Sequence, residues 1–168
     1  GCRIERLILA EAEDFLPGLS AFISKLAERE LVILANPGNP TGSLIPIGDL
    51  TSLATAAHEA GAVLVVDEAF VDFVEEASLK HSFDRLPRLL LLRSLTKFFA
   101  LPGLRIGYAL ASPELLGRLR PWKEPWSVNG LAEAAGMAAL EDRGYQETSR
   151  SLIPSWREAL VTGLQKFG

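Results

Sequence analysis

Four short apolar runs, separated by polar stretches and helical patterns, constrain the fold of this chain more than any other feature. They are LVILA (31–35), AVLVV (62–66), RLLLL (88–92) and RIGYALA (105–111). Continuous apolar runs of this length are typical of strands that are buried on both faces of a sheet. The periodicity of residues 19–30 predicts a helix before the first run, and that of residues 49–60 predicts a helix between the first and second runs, which ends at Gly61 as its C-cap. The sequence therefore predicts an α/β fold, with a mostly parallel sheet and helices on both faces.

The flanking regions predict further elements. Residues 3–9 (RIERLIL) alternate loosely between apolar and polar side chains, which favours an additional strand at the start of the chain. Ser112 followed by a proline is a typical helix N-terminus. From Asn129 onward the pattern is helical, and Pro154 predicts a kink or break there.

Composition excludes several classes of function. The chain has 168 residues and a net charge of −4, with no basic stripe that would bind nucleic acid. No apolar run approaches the ~20 residues of a membrane helix, and the N-terminus does not resemble a signal peptide, so we expect a cytoplasmic protein. Cys2 is the only cysteine, which excludes an internal disulfide. His58 and His81 have no second ligand at a useful spacing, so we expect no metal site.

Polar side chains follow the apolar runs where a ligand would bind. In open α/β sheets, ligands bind beyond the carboxyl ends of the strands. Asn36 and Asn39 follow the first run, Asp67 follows the second, and Lys97 is the fifth residue after the third. Arg105 joins this edge if the fourth strand runs antiparallel to the others. Each residue alone has a simpler interpretation. Asn39 could belong to a turn, Asp67 could cap a helix or bind magnesium, and Lys97 could be a solvated surface lysine.

An amine, a carboxylate, an amide and a guanidinium together suit pyridoxal phosphate (PLP) chemistry. A lysine forms a Schiff base with the cofactor, an aspartate keeps the pyridine nitrogen protonated, and an arginine binds the phosphate. A nucleotide-binding domain is the competing interpretation of an α/β chain. It is disfavoured because the sequence contains neither G-x-G-x-x-G after the first strand nor G-x-x-x-x-G-K-[ST].

Three separated motifs resemble one known family. NPGNPTG, VVDEAFVDF and LRSLTKFFALPGLRIGY are similar to segments of the fold-type-I PLP enzymes of aminotransferase class I and II. The resemblance implies the large domain of an aspartate-aminotransferase-like fold, with one antiparallel strand in its sheet. It implies that Lys97 is the Schiff-base lysine, that Asp67 is the partner of the pyridine nitrogen, and that Asn39 contacts the ring oxygen. The phosphate-binding residues that it implies are Ser94, Thr96 and Arg105.

Phe70 departs from the family pattern, because many members carry at this position a tyrosine that binds the ring oxygen. With PWSVN at 125–129, this sequence most resembles the threonine-phosphate decarboxylases, which are similar to histidinol-phosphate aminotransferases. The implied reaction is decarboxylation of L-threonine O-3-phosphate to aminopropanol phosphate in cobalamin biosynthesis. A histidinol-phosphate type of aminotransferase and a non-catalytic aminotransferase-like regulator are the alternatives.

The resemblance also implies how the chain is divided. Residues 1–145 correspond to part of the PLP-binding large domain, and residues 146–168 to the start of the helix that leads to the small domain. We expect a fragment that lacks the family's N-terminal part and C-terminal small domain, and that is inactive by itself. The full-length protein is expected to be a homodimer.

Overall fold

The computed structural model describes residues 3–26 and 30–167, so Cys2 lies outside the described residues. The strands are β1 Leu31–Ala35, β2 Val63–Asp67, β3 Leu89–Ser94 and β4 Gly107–Ala111. The helices are α1 Leu19–Leu26, α2 Ile47–Glu59, α3 Pro113–Leu119, α4 Gly130–Glu141 and α5 Arg143–Leu164. Short 3-10 helices cover Glu11–Glu13, Val71–Phe73, Glu75–Ala77, Pro102–Leu104, Arg120–Trp122 and Gln165–Phe167. None of the described helices is long and apolar enough to cross a membrane.

The chain divides into two compact units. The first comprises the described residues of 1–94 and 107–125, and the second comprises those of 95–106 and 126–168. The domain boundary that the sequence predicts after residue 145 remains a prediction.

The first unit contains a mixed four-stranded sheet in the order β1-β2-β3-β4. β1 pairs with β2 and β2 with β3 in parallel, whereas β4 runs antiparallel to β3 and places Gly107 opposite Ser94. This arrangement confirms the predicted parallel sheet with one antiparallel strand. The fourth strand begins at Gly107, two residues after the start that the apolar run predicts.

Helices cover both faces of this sheet, as predicted. On one face, Leu50 and Leu53 of α2 belong to the same buried cluster as Leu64, Leu89 and Leu91. Burial of each leucine stabilises the fold by roughly 1.5–3 kcal/mol. On the other face, a smaller buried cluster joins strands and α3 through Val65, Leu90 and Leu115.

Both predicted helix signals in this unit are confirmed. Gly61 follows the end of α2 with a φ of 76°, and the next amide, of Ala62, donates to the carbonyl of Ala57 at 2.9 Å. This pair of features is a Schellman ending, which favours glycine because of the positive φ. Ser112 caps α3 by accepting a hydrogen bond from the amide of Leu115 at 3.3 Å.

Two expectations for the first unit are wrong. Residues 3–10 form no strand, and Ile4 and Ile8 are more than three-quarters exposed. Alternation makes a segment compatible with a strand, but a strand forms only where a neighbour pairs with its backbone. β1 is not buried on both faces, since Leu31 and Ile33 are exposed. It lies at the edge of the sheet, and only its alternate residues face the core.

The second unit consists mainly of α4 and α5. Asn129 caps α4 by accepting from the amide of Ala132 at 2.9 Å, and Asp142 caps α5 by accepting from the amide of Tyr145 at 2.9 Å. Of the kink or break predicted at Pro154, the break is wrong, because α5 continues through that residue. The helical run ends instead at Asp142, whose ψ of 82° lies outside the helical region and whose side chain starts a new helix.

Candidate active site

A folded loop follows β1 and carries Asn39. Asn36 is buried, its amide donates to the carbonyl of Asp67 at 3.0 Å, and its side-chain oxygen accepts from the amide of Ile45 at 2.8 Å. Gly38 lies where the loop folds most closely, since a Cβ there would lie 2.6 Å from the hydroxyl of Ser43. Asn36 therefore ties both ends of the loop to the sheet, and Asn39 is exposed within it.

Asp67 and Ser94 lie at the carboxyl ends of neighbouring strands. Asp67 is exposed, and its Oδ1 accepts a hydrogen bond from the amide of Ala69 at 3.0 Å. In the parallel register Asp67 pairs with Leu92, so Ser94 lies two residues further along β3 on the same face. Strand spacing and rise place the two Cα atoms roughly 8 Å apart. The predicted carboxylate and hydroxyl therefore share one face of the sheet.

Phe70 is half-buried just beyond the end of β2. Its ring stacks on that of Phe73 at a centroid distance of 6.5 Å and an interplanar angle of 23°. The phenylalanine is therefore accommodated by aromatic packing at the position where the family pattern has a tyrosine.

A buried charged cluster lies beside these residues, and the sequence did not predict it. Nε of Arg93 donates to Oε2 of Glu68 at 2.8 Å, and its Nη1 donates to Oδ1 of Asp72 at 2.9 Å. Glu75 forms a further ion pair with Arg93 and one with Lys80. The only signal in the sequence was a charged residue just after the second and third apolar runs, in VVDE and LLLLR.

The charges in this cluster stabilise one another. Burial alone would lower the pKa of Arg93, but the negative charges of Glu68, Glu75 and Asp72 raise it above its ordinary value. Burial would likewise raise the pKa of Glu75, but the hydrogen bonds and positive charges of Lys80 and Arg93 outweigh it, so this pKa is lowered.

In the second unit, Thr96, Lys97 and Arg105 lie in one loop. The loop is closed at its base by a hydrogen bond from the amide of Leu95 to the carbonyl of Ile106 at 3.2 Å. Lys97 and Arg105 are exposed, and Thr96 is half-buried. Arg105 has a left-handed backbone with a φ of 51°. The loop therefore presents an amine, a hydroxyl and a guanidinium within ten residues.

An aromatic cluster supports this loop next to the lysine. Phe98 and Phe99 are buried, with their rings in an edge-to-face arrangement at 5.0 Å. The hydroxyl of Tyr145 donates to the carbonyl of Phe98 at 2.7 Å, and the guanidinium of Arg150 lies 5.1 Å from the centre of the Phe98 ring. Tyr145 is a second contributor that the sequence did not predict, because its partner lies 47 residues away.

Each unit, taken by itself, presents side chains of types that are suited to binding PLP. The first unit offers an exposed carboxylate and a hydroxyl on one face of the sheet, at Asp67 and Ser94. The loop of the second unit offers an amine for an aldehyde and a cation for a phosphate, at Lys97 and Arg105. Among residues 3–26 and 30–167, no group of three or more His, Cys, Asp or Glu side chains could hold a metal ion.

Comparison with known proteins identifies the family. The sequence profile of aminotransferase class I and II matches residues 2–168. The chain belongs to the aminotransferase class I and II family. Histidinol-phosphate aminotransferase 1 of Cupriavidus pinatubonensis is 36% identical over 168 residues, covering 97% of this chain and 44% of that protein. Threonine-phosphate decarboxylase of Salmonella typhimurium is 36% identical over 151 residues, covering 89% of this chain and 42% of that protein.

Solved structures of the family share this fold. The histidinol-phosphate aminotransferase of Clostridium acetobutylicum superposes with a TM-score of 0.87 at 31% identity, over 93% of this chain and 48% of that one. The enzyme of Sinorhizobium meliloti, whose structure contains pyridoxal-5'-phosphate, gives 0.77 at 28% identity, over 85% of this chain and 40% of that one. The chain thus spans less than half the length of the relatives that it matches.

Proposed function

We propose that the full-length protein is a PLP-dependent enzyme and that this chain carries its cofactor-binding residues. The observation that carries the proposal is the loop of residues 95–106, which presents Thr96, Lys97 and Arg105 from one closed turn of chain. PLP, when bound, supplies an aldehyde and an electron-withdrawing pyridinium ring. Membership of the family and the PLP-containing structure of the Sinorhizobium meliloti relative support this proposal.

Each residue has a distinct proposed role toward the cofactor. Lys97 would hold the cofactor at its aldehyde carbon through Nζ, and would move a proton at that atom. Asp67 holds the proton on the pyridine nitrogen, and the hydrogen bond from the Ala69 amide orients its carboxylate. Asn39 donates to the ring oxygen, where Phe70 provides no hydroxyl.

The phosphate is bound by charge and by hydroxyl groups. Arg105 offers a guanidinium, which matches two phosphate oxygens at once. Ser94 and Thr96 add hydroxyl donors, one from the end of β3 and one from the loop that follows it.

We propose decarboxylation of L-threonine O-3-phosphate to aminopropanol phosphate as the reaction, a step in cobalamin biosynthesis. The similarity to the Salmonella typhimurium decarboxylase supports it. A histidinol-phosphate type of aminotransferase is the second candidate, supported by the Cupriavidus pinatubonensis relative and the Clostridium acetobutylicum structure. We propose a cytoplasmic homodimer as the form of the full-length enzyme, as the family resemblance implies.

One incubation separates the two reactions. The full-length protein is supplied with PLP and L-threonine O-3-phosphate, and both carbon dioxide and keto acid are quantified. Release of carbon dioxide with formation of aminopropanol phosphate is the expected result. Formation of a keto acid without carbon dioxide would refute the decarboxylase proposal and favour the aminotransferase.

A further inference from the structure

The buried cluster around Arg93 ties together three segments of the first unit that are distant in sequence. The side chains of Arg93, Glu68 and Asp72 are 2%, 0% and 6% exposed, respectively. Nη2 of Arg93 also donates to the hydroxyl of Ser78 at 2.8 Å, and this hydroxyl lies 2.8 Å from Oε2 of Glu68. The amide of Leu79 donates to the other carboxylate oxygen of Glu68 at 3.0 Å.

These bonds begin where the backbone pairing of the sheet ends. The last register pair between β2 and β3 is Asp67 with Leu92, and the amide of Glu68 makes one more bond to the carbonyl of Leu92 at 2.8 Å. Side chains alternate between faces along a strand, so Glu68 points away from the face that carries Asp67. In the same way, the side chains of Arg93 and Ser94, which are consecutive in β3, lie on opposite faces. The ion pair on one face therefore fixes the backbone that presents Asp67 and Ser94 on the other.

Stability alone is a weak explanation for this arrangement. A buried ion pair is often no more stabilising than well-packed apolar side chains of the same volume. Its hydrogen bonds are directional, however, and the planar guanidinium donates in a fixed fork that a lysine cannot reproduce. Arg93 uses this fork to reach Glu68, Asp72 and Ser78 at once.

We propose that Arg93 is a positioning residue, which through Glu68 holds Asp67 and Ser94 at a fixed spacing for the cofactor. The inference rests on the proposed function, because it takes PLP to be the ligand for which Asp67 and Ser94 are held at a fixed spacing. Arg93 itself points to the opposite face and is not proposed to touch the cofactor. Its effect is transmitted through the peptide units on either side of the ion pair.

The test compares Arg93→Lys with Arg88→Lys in the full-length protein. Arg88 precedes the other end of β3, where it is exposed and donates to the carbonyl of Gly61, so it is a matched control. Hydrogen exchange is measured first without cofactor, at the Ala69 amide that holds Asp67 and at the Leu64 amide near the start of β2. The dissociation constant for PLP is then measured by absorbance titration.

For Arg93→Lys we expect exchange at Ala69 to accelerate at least tenfold while exchange at Leu64 changes less than twofold. We also expect the dissociation constant for PLP to rise at least tenfold. Arg88→Lys is expected to change each quantity less than twofold. Unchanged exchange at Ala69, equal acceleration at Ala69 and Leu64, or faster exchange with unchanged PLP affinity would each overturn the proposal.

A second variant covers failure of Arg93→Lys to fold. Glu68→Gln keeps the side-chain shape while removing the charge. The same changes in exchange at Ala69 and Leu64 and in the dissociation constant for PLP are expected for it. Failure of the proposed function is distinguishable, because it would appear as a wild-type protein that does not bind PLP. The exchange measurement without cofactor still reports whether Arg93 holds Asp67 in place.

Discussion

Replacing Gly136 by valine should destabilise the second unit by overpacking the base of the loop that carries Lys97. Gly136 is buried in α4, and a Cβ at this position would lie 2.8 Å from Cδ1 of Ile106 and 3.1 Å from Cδ1 of Leu95. Leu95 and Ile106 are the residues whose backbones close the loop. The valine adds two further methyl groups, so the ends of both side chains must shift to make room.

The magnitude follows from two opposing effects. Overpacking of this kind costs about 1–3 kcal/mol. Valine has a higher helix propensity than glycine, which returns roughly 0.3 kcal/mol. Gly163→Val in α5 is the matched control, because it gains the same propensity and a Cβ there would have no atom within 4 Å. The difference between the two variants therefore isolates the cost of crowding Leu95 and Ile106.

Urea unfolding of the full-length protein measures this difference. With a denaturant dependence of about 2 kcal/mol/M, the midpoint of Gly136→Val should lie roughly 0.5–1.5 M below that of Gly163→Val. We also expect weaker PLP binding in Gly136→Val, since the displaced residues support the loop. Midpoints that agree within the error of the measurement would refute the packing argument.

The remaining predictions concern one hydrogen bond and one titrating group. Tyr145→Phe keeps the aromatic packing but removes the 2.7 Å bond to the carbonyl of Phe98, so we expect a loss of about 1 kcal/mol in the free energy of unfolding; unchanged urea unfolding would contradict it. Glu75 has a lowered pKa in the folded state, so its stabilising contribution is present above its unfolded-state pKa and is lost as pH falls through the folded value. Calorimetry should show the melting temperature falling less between pH 6 and pH 3 in Glu75→Gln than in the wild type, and equal falls would contradict this sign.

Much of the sheet could be predicted because its cause is local. The runs at 31–35, 62–66 and 88–92 are apolar, and each is found as a strand that begins within one residue of its predicted start. Residues 3–9 have a comparable pattern but form no strand, since pairing depends on a neighbour that periodicity does not specify. Pro154 does not end α5. A proline removes one backbone hydrogen bond, and this helix of 22 residues continues through it.

The positions of some candidate residues at strand ends could be predicted from the sequence, whereas their roles toward a cofactor remain predictions. Asp67 is found at such an end, and the antiparallel pairing of β4 places Gly107, two residues after Arg105, opposite Ser94. The supporting contacts could not be predicted in this way. The partners of Arg93 lie between 15 and 25 residues earlier in the chain, and they meet only once the sheet has formed.

The central claim is that Lys97 binds PLP, and its most direct test is to locate the cofactor chemically. The full-length protein with PLP is reduced with borohydride, digested, and analysed by mass spectrometry. We predict a pyridoxyl group on Lys97, and a visible absorption band before reduction that is lost in Lys97→Ala but kept in the exposed control Lys123→Ala. A pyridoxyl group on a different lysine, or an intact band in Lys97→Ala, would contradict the assignment.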